Sequence, residues 1–325
     1  MEYEIIATLG PSTSSKADWQ AMLTAGVTAF RINTSHLSLS QLLQWLERLD
    51  PLISSGFSNI PVVLDLQGSK WRLGTFSPFE TRENQPLRLV YGNTTQAPDT
   101  LPVPHQDFFE AAQFSNGRIL LDDARILLVM ESSADDTITA RVLQSGPINS
   151  QKGITYESSA YRKESITEKD HTILGQTRHL DYLRYAISYV KDSREMAAYR
   201  SLAGQDRYLI AKLERKPAIS DALHIADHAD ELWLCRGDLG AELGMKEMSE
   251  AVFQFSRTVP GFPIPVIMAG QVLQHMTTHP SPTRSELCYL YETLLRGYRG
   301  IVLSDETAVG KYPLESCKFA ALYKE

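Results

Sequence analysis

Short apolar runs alternate with segments of helical periodicity along most of this chain. Eight runs have the length and composition of buried strands, with predicted bounds 4–8, 27–33, 60–66, 182–187, 208–211, 232–235, 264–269 and 299–303. Segments with apolar residues at helical spacing separate them, at 15–25, 38–55, 167–178, 192–203, 219–230 and 283–296. Strand–helix alternation predicts parallel strands joined by helical crossovers. We therefore predict an α/β fold of the (β/α)8 TIM-barrel type, with a doubly wound open sheet as the alternative.

The pattern changes between residues 72 and 155, where no helix is predicted. Strand-like runs at 86–91, 118–121, 125–131 and 137–143 are separated by Gly, Asn, Asp and Pro. This punctuation is typical of a small β-rich domain. The chain is therefore predicted to consist of a first barrel part at 1–71, an inserted β lid domain at 72–155 after the third strand, and a second barrel part at 156–325.

Composition narrows the functional classes. The 325 residues carry a net charge of −7, which argues against binding to nucleic acid or to an anionic membrane. The three cysteines Cys235, Cys288 and Cys317 are scattered, which favours a reducing compartment. No stretch has the apolar length of a membrane span and the N-terminus does not resemble a signal peptide, so we expect a cytoplasmic protein. Neither a Walker-type nor a dinucleotide-binding motif occurs, and the histidines lack zinc-ligand spacing.

Polar residues collect where the predicted barrel strands end. In a parallel barrel these carboxyl ends lie at one end of the barrel, where the active sites of such barrels are found. The residues expected there are Thr8, Arg31, Asn33, Ser35, Asp65, Lys70, Lys212, Glu214, Arg236, Asp238, Gln271, Ser304 and Glu306. Any one of them has an ordinary reading as a loop residue, but their concentration at one end of the strands indicates a site.

The stretch 207–238 places Lys212 and Glu214 after one strand and Asp238 after the next. Two carboxylates can bind Mg²⁺, which needs few protein ligands besides water and substrate oxygens. The positive charge of a lysine can stabilise a negatively charged group during its transfer. Arg31 and Arg72 have the forked donors that bind phosphate. Phosphoryl transfer involving a small carboxylic acid follows as a hypothesis. The structural alternatives are a simple Lys212–Glu214 ion pair and an N-cap role for Asp238.

These residues lie in segments that resemble the pyruvate kinase family, in order and over nearly the whole chain. The matching segments are IIATLGPST, AGVTAFRINTSH, VLDLQGSKWRLG, ILLDDARILLVM, IAKLE, LCRGDLG, MAGQVLQHM, PSPTRSE and LSDETAVGKYP. The resemblance implies a barrel with a mobile lid, and a short form without the family's C-terminal domain.

The resemblance also implies roles for individual residues. Lys212, Arg31 and Arg72 would be catalytic, and Glu214 and Asp238 would bind Mg²⁺ or Mn²⁺. The implied substrate-binding positions are Arg236, Gly237, Gly270, Gln271 and Ser304. The implied monovalent-cation site comprises Asn33, Ser35, Asp65 and Lys70. The implied nucleotide contacts are Pro11, His36 and Lys152.

Some positions depart from the usual family pattern. Lys70, together with Leu66, Gln67 and Leu73, resembles the potassium-independent branch, in which a lysine ammonium replaces K⁺ near Asp65. K⁺ is therefore not expected to be required. Gly270 stands where the family carries a Thr tied to proton handling at the enolate, so its presence would slow that step or admit a bulkier substrate. Asp305 replaces a family Gly nearby and adds negative charge.

Three functions follow from these observations. The leading one is phosphoryl transfer between an enol phosphate such as phosphoenolpyruvate and ADP, or a related substrate, with the 2-oxo acid and ATP as products. The second is metal-dependent enolate chemistry of decarboxylase or aldolase type without a nucleotide. The third is a non-catalytic binding protein on the same barrel, against which the intact charged set argues. A homodimer through the barrel face is left open.

Overall fold

The structure is a computed structural model that describes residues 1–54, 60–122, 125–157 and 166–324, apart from the side chains of His36 and Ser54. In chain order its strands are β1 Glu4–Thr8, β2 Ala29–Asn33, β3 Val62–Leu66, β4 Phe79–Glu80, β5 Pro86–Tyr91, β6 Thr100–Val103, β7 Arg118–Leu121, β8 Ile126–Ala134, β9 Thr137–Gln144, β10 Pro147–Ile148, β11 Ile154–Tyr156, β12 Leu183–Ile187, β13 Tyr208–Leu213, β14 Glu231–Cys235, β15 Val266–Ala269 and β16 Gly300–Leu303.

Eight of these strands close into a parallel barrel, in the order β1-β16-β15-β14-β13-β12-β3-β2. The barrel confirms the predicted fold class and excludes the doubly wound open sheet. Its strands are short runs that are buried on both faces, as parallel strands covered by helices must be. Ile6, Val63, Ile210, Trp233 and Ile267 belong to one buried cluster contributed by different barrel strands.

The described helices are α1 Lys16–Thr24, α2 Leu39–Ser54, α3 Gln106–Ala111, α4 Glu168–Thr177, α5 Ser193–Ala203, α6 Lys216–Ser220, α7 Ala222–Ala226, α8 Arg236–Thr258, α9 Arg284–Leu295, α10 Asp305–Ala308 and α11 Pro313–Ala320. Helix α8 joins two helices across a kink at Gly244, whose φ is +75°. Within the described ranges, no helix is both long enough and apolar enough to cross a membrane.

The helix predicted at 219–230 is wrong, because two short helices, α6 and α7, occupy this region. Pro217 lies in the first turn of α6, where a missing N–H costs nothing, so the helix begins earlier than predicted. Asp221 interrupts the run with non-helical dihedral angles. Its carboxylate instead accepts a hydrogen bond from the backbone N–H of Ser193 at 2.8 Å.

The chain divides into two compact units, of which the barrel unit comprises the described residues of 1–68, 166–236 and 251–325. The second, lid unit comprises the described residues of 69–165 and 237–250. It therefore contains the predicted insertion at 72–155 and also the first part of α8 after Arg236. Its strands form a six-stranded sheet in the order β11-β7-β8-β9-β5-β6 and a separate β10–β4 pair.

One helix that the sequence pattern did not predict, α3, lies within 72–155. The helix is short, but it buries Phe108 and Phe109 in the core of the lid unit. Phe108 stacks on Tyr156 with ring centroids 4.6 Å apart and meets the edge of Trp71 at 5.2 Å. A helix of six residues lacks the repeated spacing that reveals longer helices.

Candidate active site

Asp65 is the centre of a buried charge cluster at the carboxyl ends of the barrel strands. The ammonium of Lys212, near the end of β13, lies 3.1 and 3.2 Å from the two carboxylate oxygens of Asp65. The Ser188 hydroxyl follows β12, donates to Asp65 Oδ1 at 2.8 Å and accepts from Lys212 at 2.8 Å. Because strands β3, β12 and β13 are neighbours in the barrel, these three side chains converge.

Arg31, on β2, completes this cluster. Its Nε donates to Asp65 Oδ2 at 2.8 Å, and Nη2 of the same guanidinium pairs with that oxygen. Its Nη1 donates to the Thr8 hydroxyl at 2.8 Å, which in turn donates to the carbonyl of Leu303 at 2.7 Å. Burial raises the pKa of Asp65, but the charges of Lys212 and Arg31 outweigh burial and lower it to about 2. Asp65 is therefore ionised at neutral pH.

Glu214 is the second carboxylate that holds Lys212. Its Oε1 lies 2.9 Å from the Lys212 ammonium, so the ion pair predicted from their spacing on the strand is present. Oε2 of Glu214 accepts the backbone N–H of Tyr189 at 2.7 Å. Burial lowers the pKa of Lys212, but Asp65 and Glu214 outweigh it and raise that pKa above its ordinary value. Lys212 is thus a fixed cation rather than a proton acceptor at neutral pH.

Tyr189 is held in an unusual backbone conformation beside this carboxylate. Its φ is +64°, which is rare for a residue with a bulky side chain. Its ring lies beneath the guanidinium of the buried Arg215, 4.1 Å from the carbon Cζ. The strained turn aims the Tyr189 N–H at Glu214, which fixes the carboxylate next to Lys212.

The predicted cation-site residues Asn33 and Ser35 lie in the turn after β2. The Asn33 side-chain oxygen accepts the backbone N–H of Ser35 at 3.1 Å and so begins the single 3-10 turn Thr34–His36. The Thr34 hydroxyl donates to the carbonyl of Asp65 at 2.8 Å, and the Lys169 ammonium donates to the carbonyl of Thr34 at 2.7 Å. The turn is therefore tied to the strand that carries Asp65.

Arg236 organises the neighbouring strand ends. Its Nε donates to the carbonyl of Gly270 at 3.0 Å, and its Nη2 donates to the carbonyl of Gln271 at 2.9 Å. Gly270 and Gln271 have φ values of +85° and +54°, so two consecutive left-handed residues turn their carbonyls towards one guanidinium. The ring of Tyr289, on α9, lies 4.8 Å from the Arg236 guanidinium carbon.

Glu306 supports the last strand end. Its carboxylate is fully buried and accepts the backbone N–H groups of Ser304 at 2.7 Å and Leu273 at 3.0 Å. These bonds connect the loops after β15 and β16, which places the predicted substrate residues Ser304, Gly270 and Gln271 on one braced edge of the barrel. Burial raises the pKa of Glu306, against these N–H contacts.

The lid unit holds the other predicted residues. Lys70 forms an ion pair with Asp238, and Lys152 pairs with Asp122 at 2.9 Å. Nη1 of Arg72 donates to the carbonyl of Gln151 at 3.1 Å. Asp238 lies within the first turn of α8, whose N-cap is Cys235, so the predicted N-cap role of Asp238 is wrong.

A comparison with known proteins shows to which family the chain belongs. The family model described as pyruvate kinase, barrel domain, matches residues 1–317. This chain belongs to the pyruvate kinase family. The match confirms the resemblance that the sequence motifs carry.

Two relatives and one solved structure illustrate what this chain is similar to. The pyruvate kinase of Agrobacterium vitis is 30% identical over 316 residues, which cover 96% of this chain and 66% of the relative. Pyruvate kinase 2 of Synechocystis is 29% identical over 335 residues, covering 99% of this chain and 56% of the relative. A crystal structure of a pyruvate kinase from Cryptosporidium parvum superimposes with a TM-score of 0.85 at 22% identity, covering 98% of this chain and 68% of that one. The chain thus spans roughly two thirds or less of the length of these relatives.

The pyruvate kinase family implies a divalent metal, and the donor chemistry of this chain fits one. Glu214 and Asp238 offer hard carboxylate oxygens of the kind that Mg²⁺ binds. Glu214 contacts the ammonium of Lys212, and Asp238 contacts that of Lys70. Each carboxylate therefore already stabilises a positive charge. Among the described residues no three His, Cys, Asp or Glu side chains form a metal-binding group. Mg²⁺ keeps several waters and needs only one or two protein carboxylates.

Three further residues contact the site and are absent from the set predicted from the sequence. Ser188 bridges Asp65 and Lys212, Tyr189 positions Glu214, and Tyr289 contacts Arg236. The sequence does contain a sign of the role of Ser188, because it is the first polar residue after the strand predicted at 182–187. Of the three predicted nucleotide contacts, Pro11 is exposed at the start of a 3-10 turn and Lys152 is ion-paired, whereas the side chain of His36 lies outside the described residues.

Proposed function

We propose that this chain transfers a phosphoryl group between an enol phosphate such as phosphoenolpyruvate and ADP. The observation that carries the proposal is the buried Lys212 ammonium, fixed by Asp65, Glu214 and Ser188 at the carboxyl ends of a pyruvate kinase barrel. Phosphoryl transfer needs little covalent help from the protein, and depends on positioning and on cations placed near the phosphoryl oxygens. A lysine kept charged and immobile meets that requirement.

The predicted catalytic, metal-binding, substrate-binding and nucleotide-binding residues each take a role in this proposal. Lys212, Arg31 and Arg72 would neutralise the transferring phosphoryl group, and Arg236 with the Gly237 backbone would meet the substrate carboxylate. Glu214 and Asp238 would hold Mg²⁺ or Mn²⁺, which would supply further positive charge to the phosphate oxygens. Pro11, His36 and Lys152 stay predicted nucleotide contacts. Gly270, Gln271 and Ser304 would line the position of the enolate.

Potassium is not required in this proposal. Asp65 already contacts two protein cations, Arg31 and Lys212, whereas Lys70 is paired with Asp238. A site supplied with fixed ammonium and guanidinium groups gains little from a bound monovalent ion. The cytoplasmic location and the homodimer likewise stay predictions, the latter open to a mass measurement in solution.

The test is an assay with phosphoenolpyruvate, ADP and Mg²⁺, with and without K⁺, that detects pyruvate and ATP. We expect turnover in both conditions. Lys212→Met should lower turnover by roughly a thousandfold or more, because the charge on the transferring group is lost. Lys216→Met is the matched control, since Lys216 is exposed and lies only four residues away on α6. Undiminished turnover in Lys212→Met contradicts the proposal.

A second candidate, metal-dependent enolate chemistry without a nucleotide, is favoured by one observation. Gly270 offers no hydroxyl where the family carries Thr, and its φ of +85° disfavours replacement by such a β-branched residue. A changed proton step would follow. Calorimetric titration with ADP separates the two functions, because an enolate enzyme of this kind should show no heat of nucleotide binding.

A further inference from the structure

Lys70 contacts the carboxylate of Asp238, which the proposed function assigns to the metal ion. Its ammonium is paired with Asp238, and the two side chains are only 10% and 19% exposed. Both residues belong to the lid unit, although 168 positions separate them in the chain. An ion pair that is largely withdrawn from water is weakly screened and persists without help from other ions.

The lid unit holds the Lys70 side chain in place. The segment that follows Lys70 pairs with the segment that leads into β11. The backbone N–H of Leu73 donates to the carbonyl of Lys152 at 2.9 Å, and that of Ile154 donates to the carbonyl of Trp71 at 3.0 Å. Gly153, between these contacts, leaves the space that the lysine stem fills. A Cβ atom at this position would lie 2.3 Å from Cε and 2.8 Å from Nζ of Lys70. Lys70 is therefore packed towards Asp238.

We propose that Lys70 is a built-in competitor for the divalent cation, and that its ammonium must leave Asp238 before a metal ion binds there. The inference rests on the proposed function in that it takes Asp238 as a metal ligand. A carboxylate oxygen that accepts from an ammonium offers less negative charge to a second cation, and two cations a few ångströms apart repel each other. Lys70 thus weakens the binding of a divalent cation to the protein that holds no substrate or nucleotide.

The experiment measures Mn²⁺ binding to the full chain without nucleotide or substrate, by the loss of the free Mn²⁺ paramagnetic resonance signal. Lys70→Met removes the charge but keeps a stem of similar length, and we expect it to tighten Mn²⁺ binding about tenfold or more. Lys246→Met, an exposed lysine on α8 in the same unit, is the matched control for the loss of one positive charge. It should change the dissociation constant less than about twofold.

Lys70→Gln repeats the measurement with a polar neutral side chain. It replaces Lys70→Met as the test variant if Lys70→Met fails to fold. Unchanged or weaker Mn²⁺ binding in the neutral variants overturns the proposed competition. Asp238→Asn separates this failure from a failure of the proposed function. If Asp238→Asn abolishes Mn²⁺ binding but Lys70→Met does not tighten it, only the competition is wrong. If Asp238→Asn leaves Mn²⁺ binding intact, the metal assignment falls and the competition falls with it.

Discussion

Gly270 shows how one residue ties substrate choice to backbone conformation. The sequence marks it only as a missing hydroxyl, whereas the structure gives it a φ of +85° and directs its carbonyl to Arg236. Glycine reaches this region without steric cost, while a β-branched side chain meets its own backbone. The departure from the family's Thr therefore reflects the shape of the loop as well as the chemistry beside it.

Restoring the family's residue should consequently destabilise the protein. We expect Gly270→Thr to lower the free energy of unfolding by about 1–3 kcal/mol, the usual cost of a non-glycine residue forced into this conformation. Urea denaturation measures the change. Gly175→Ala is the matched control, because Gly175 lies in helix α4 with open space around its Cα and should stabilise by about 0.5–1 kcal/mol. Wild-type stability in Gly270→Thr would mean that the loop relaxes to accept the side chain.

At the scale of secondary structure, Asp170 on α4 fixes the end of strand β3. Its buried carboxylate accepts the backbone N–H groups of Gln67 and Gly68, both at 2.9 Å. Gly68 has a φ of +63°, and a Cβ there would lie 1.8 Å from the carbonyl oxygen of Ser188. One helix residue therefore holds the tight turn that follows Asp65.

Removing this carboxylate should cost more than removing an exposed one. Asp170→Ala leaves the backbone N–H groups of the half-buried Gln67 and the buried Gly68 without their acceptor, and we expect it to lower the free energy of unfolding by about 2–4 kcal/mol. Asp181→Ala breaks the ion pair with Arg207 at a side chain that is 88% exposed, and should have little effect. Thermal and urea unfolding measure both variants. Equal effects of the two substitutions would contradict the anchoring role of Asp170.

The elements that the sequence predicts well are those with a strong local signal. The eight barrel strands are predominantly apolar runs, which is what burial on both faces of a parallel sheet requires. The short helix α3 and the break at Asp221 depend on packing and on side-chain contacts, which periodicity does not record. The contact of Lys70 with Asp238 joins residues 168 positions apart, so it follows only from the tertiary structure.

At the scale of the barrel, the two ends of the strands carry different charge clusters. The carboxyl ends hold the Asp65 and Lys212 cluster, whereas Glu231 lies buried at the amino end of β14. Glu231 accepts from the Tyr208 hydroxyl at 2.9 Å and from the Trp233 indole N–H. Arg184 lies 3.6 Å from Glu231 and 3.1 Å from Glu4. The first cluster is balanced by cations, but the second has two carboxylates for one guanidinium.

This imbalance makes the stability of the barrel depend on pH. Burial, and then the charge of Glu4, raise the pKa of Glu231 from 4.5 to about 7, against the contacts with Trp233 and Arg184. The folded state thus favours the protonated carboxyl, so its contribution to stability is complete below about pH 4.5 and is lost as the pH rises through about 7. Complete ionisation of Glu231 in the folded state should lower the free energy of unfolding by about 3 kcal/mol.

Glu231→Gln should remove this dependence, because the amide keeps the shape and stays neutral. Chemical denaturation between pH 4.5 and 8 should show a variant similar to the wild type at the acid end and more stable by roughly 1–3 kcal/mol at pH 8. Glu250→Gln, at an exposed position on α8, controls for the change in net charge and should follow the wild-type profile. Groups that titrate elsewhere cancel in the difference between variant and wild type. Parallel profiles for Glu231→Gln and the wild type would show that Glu231 stays ionised in the folded barrel, with Arg184 and the Tyr208 and Trp233 donors compensating its burial.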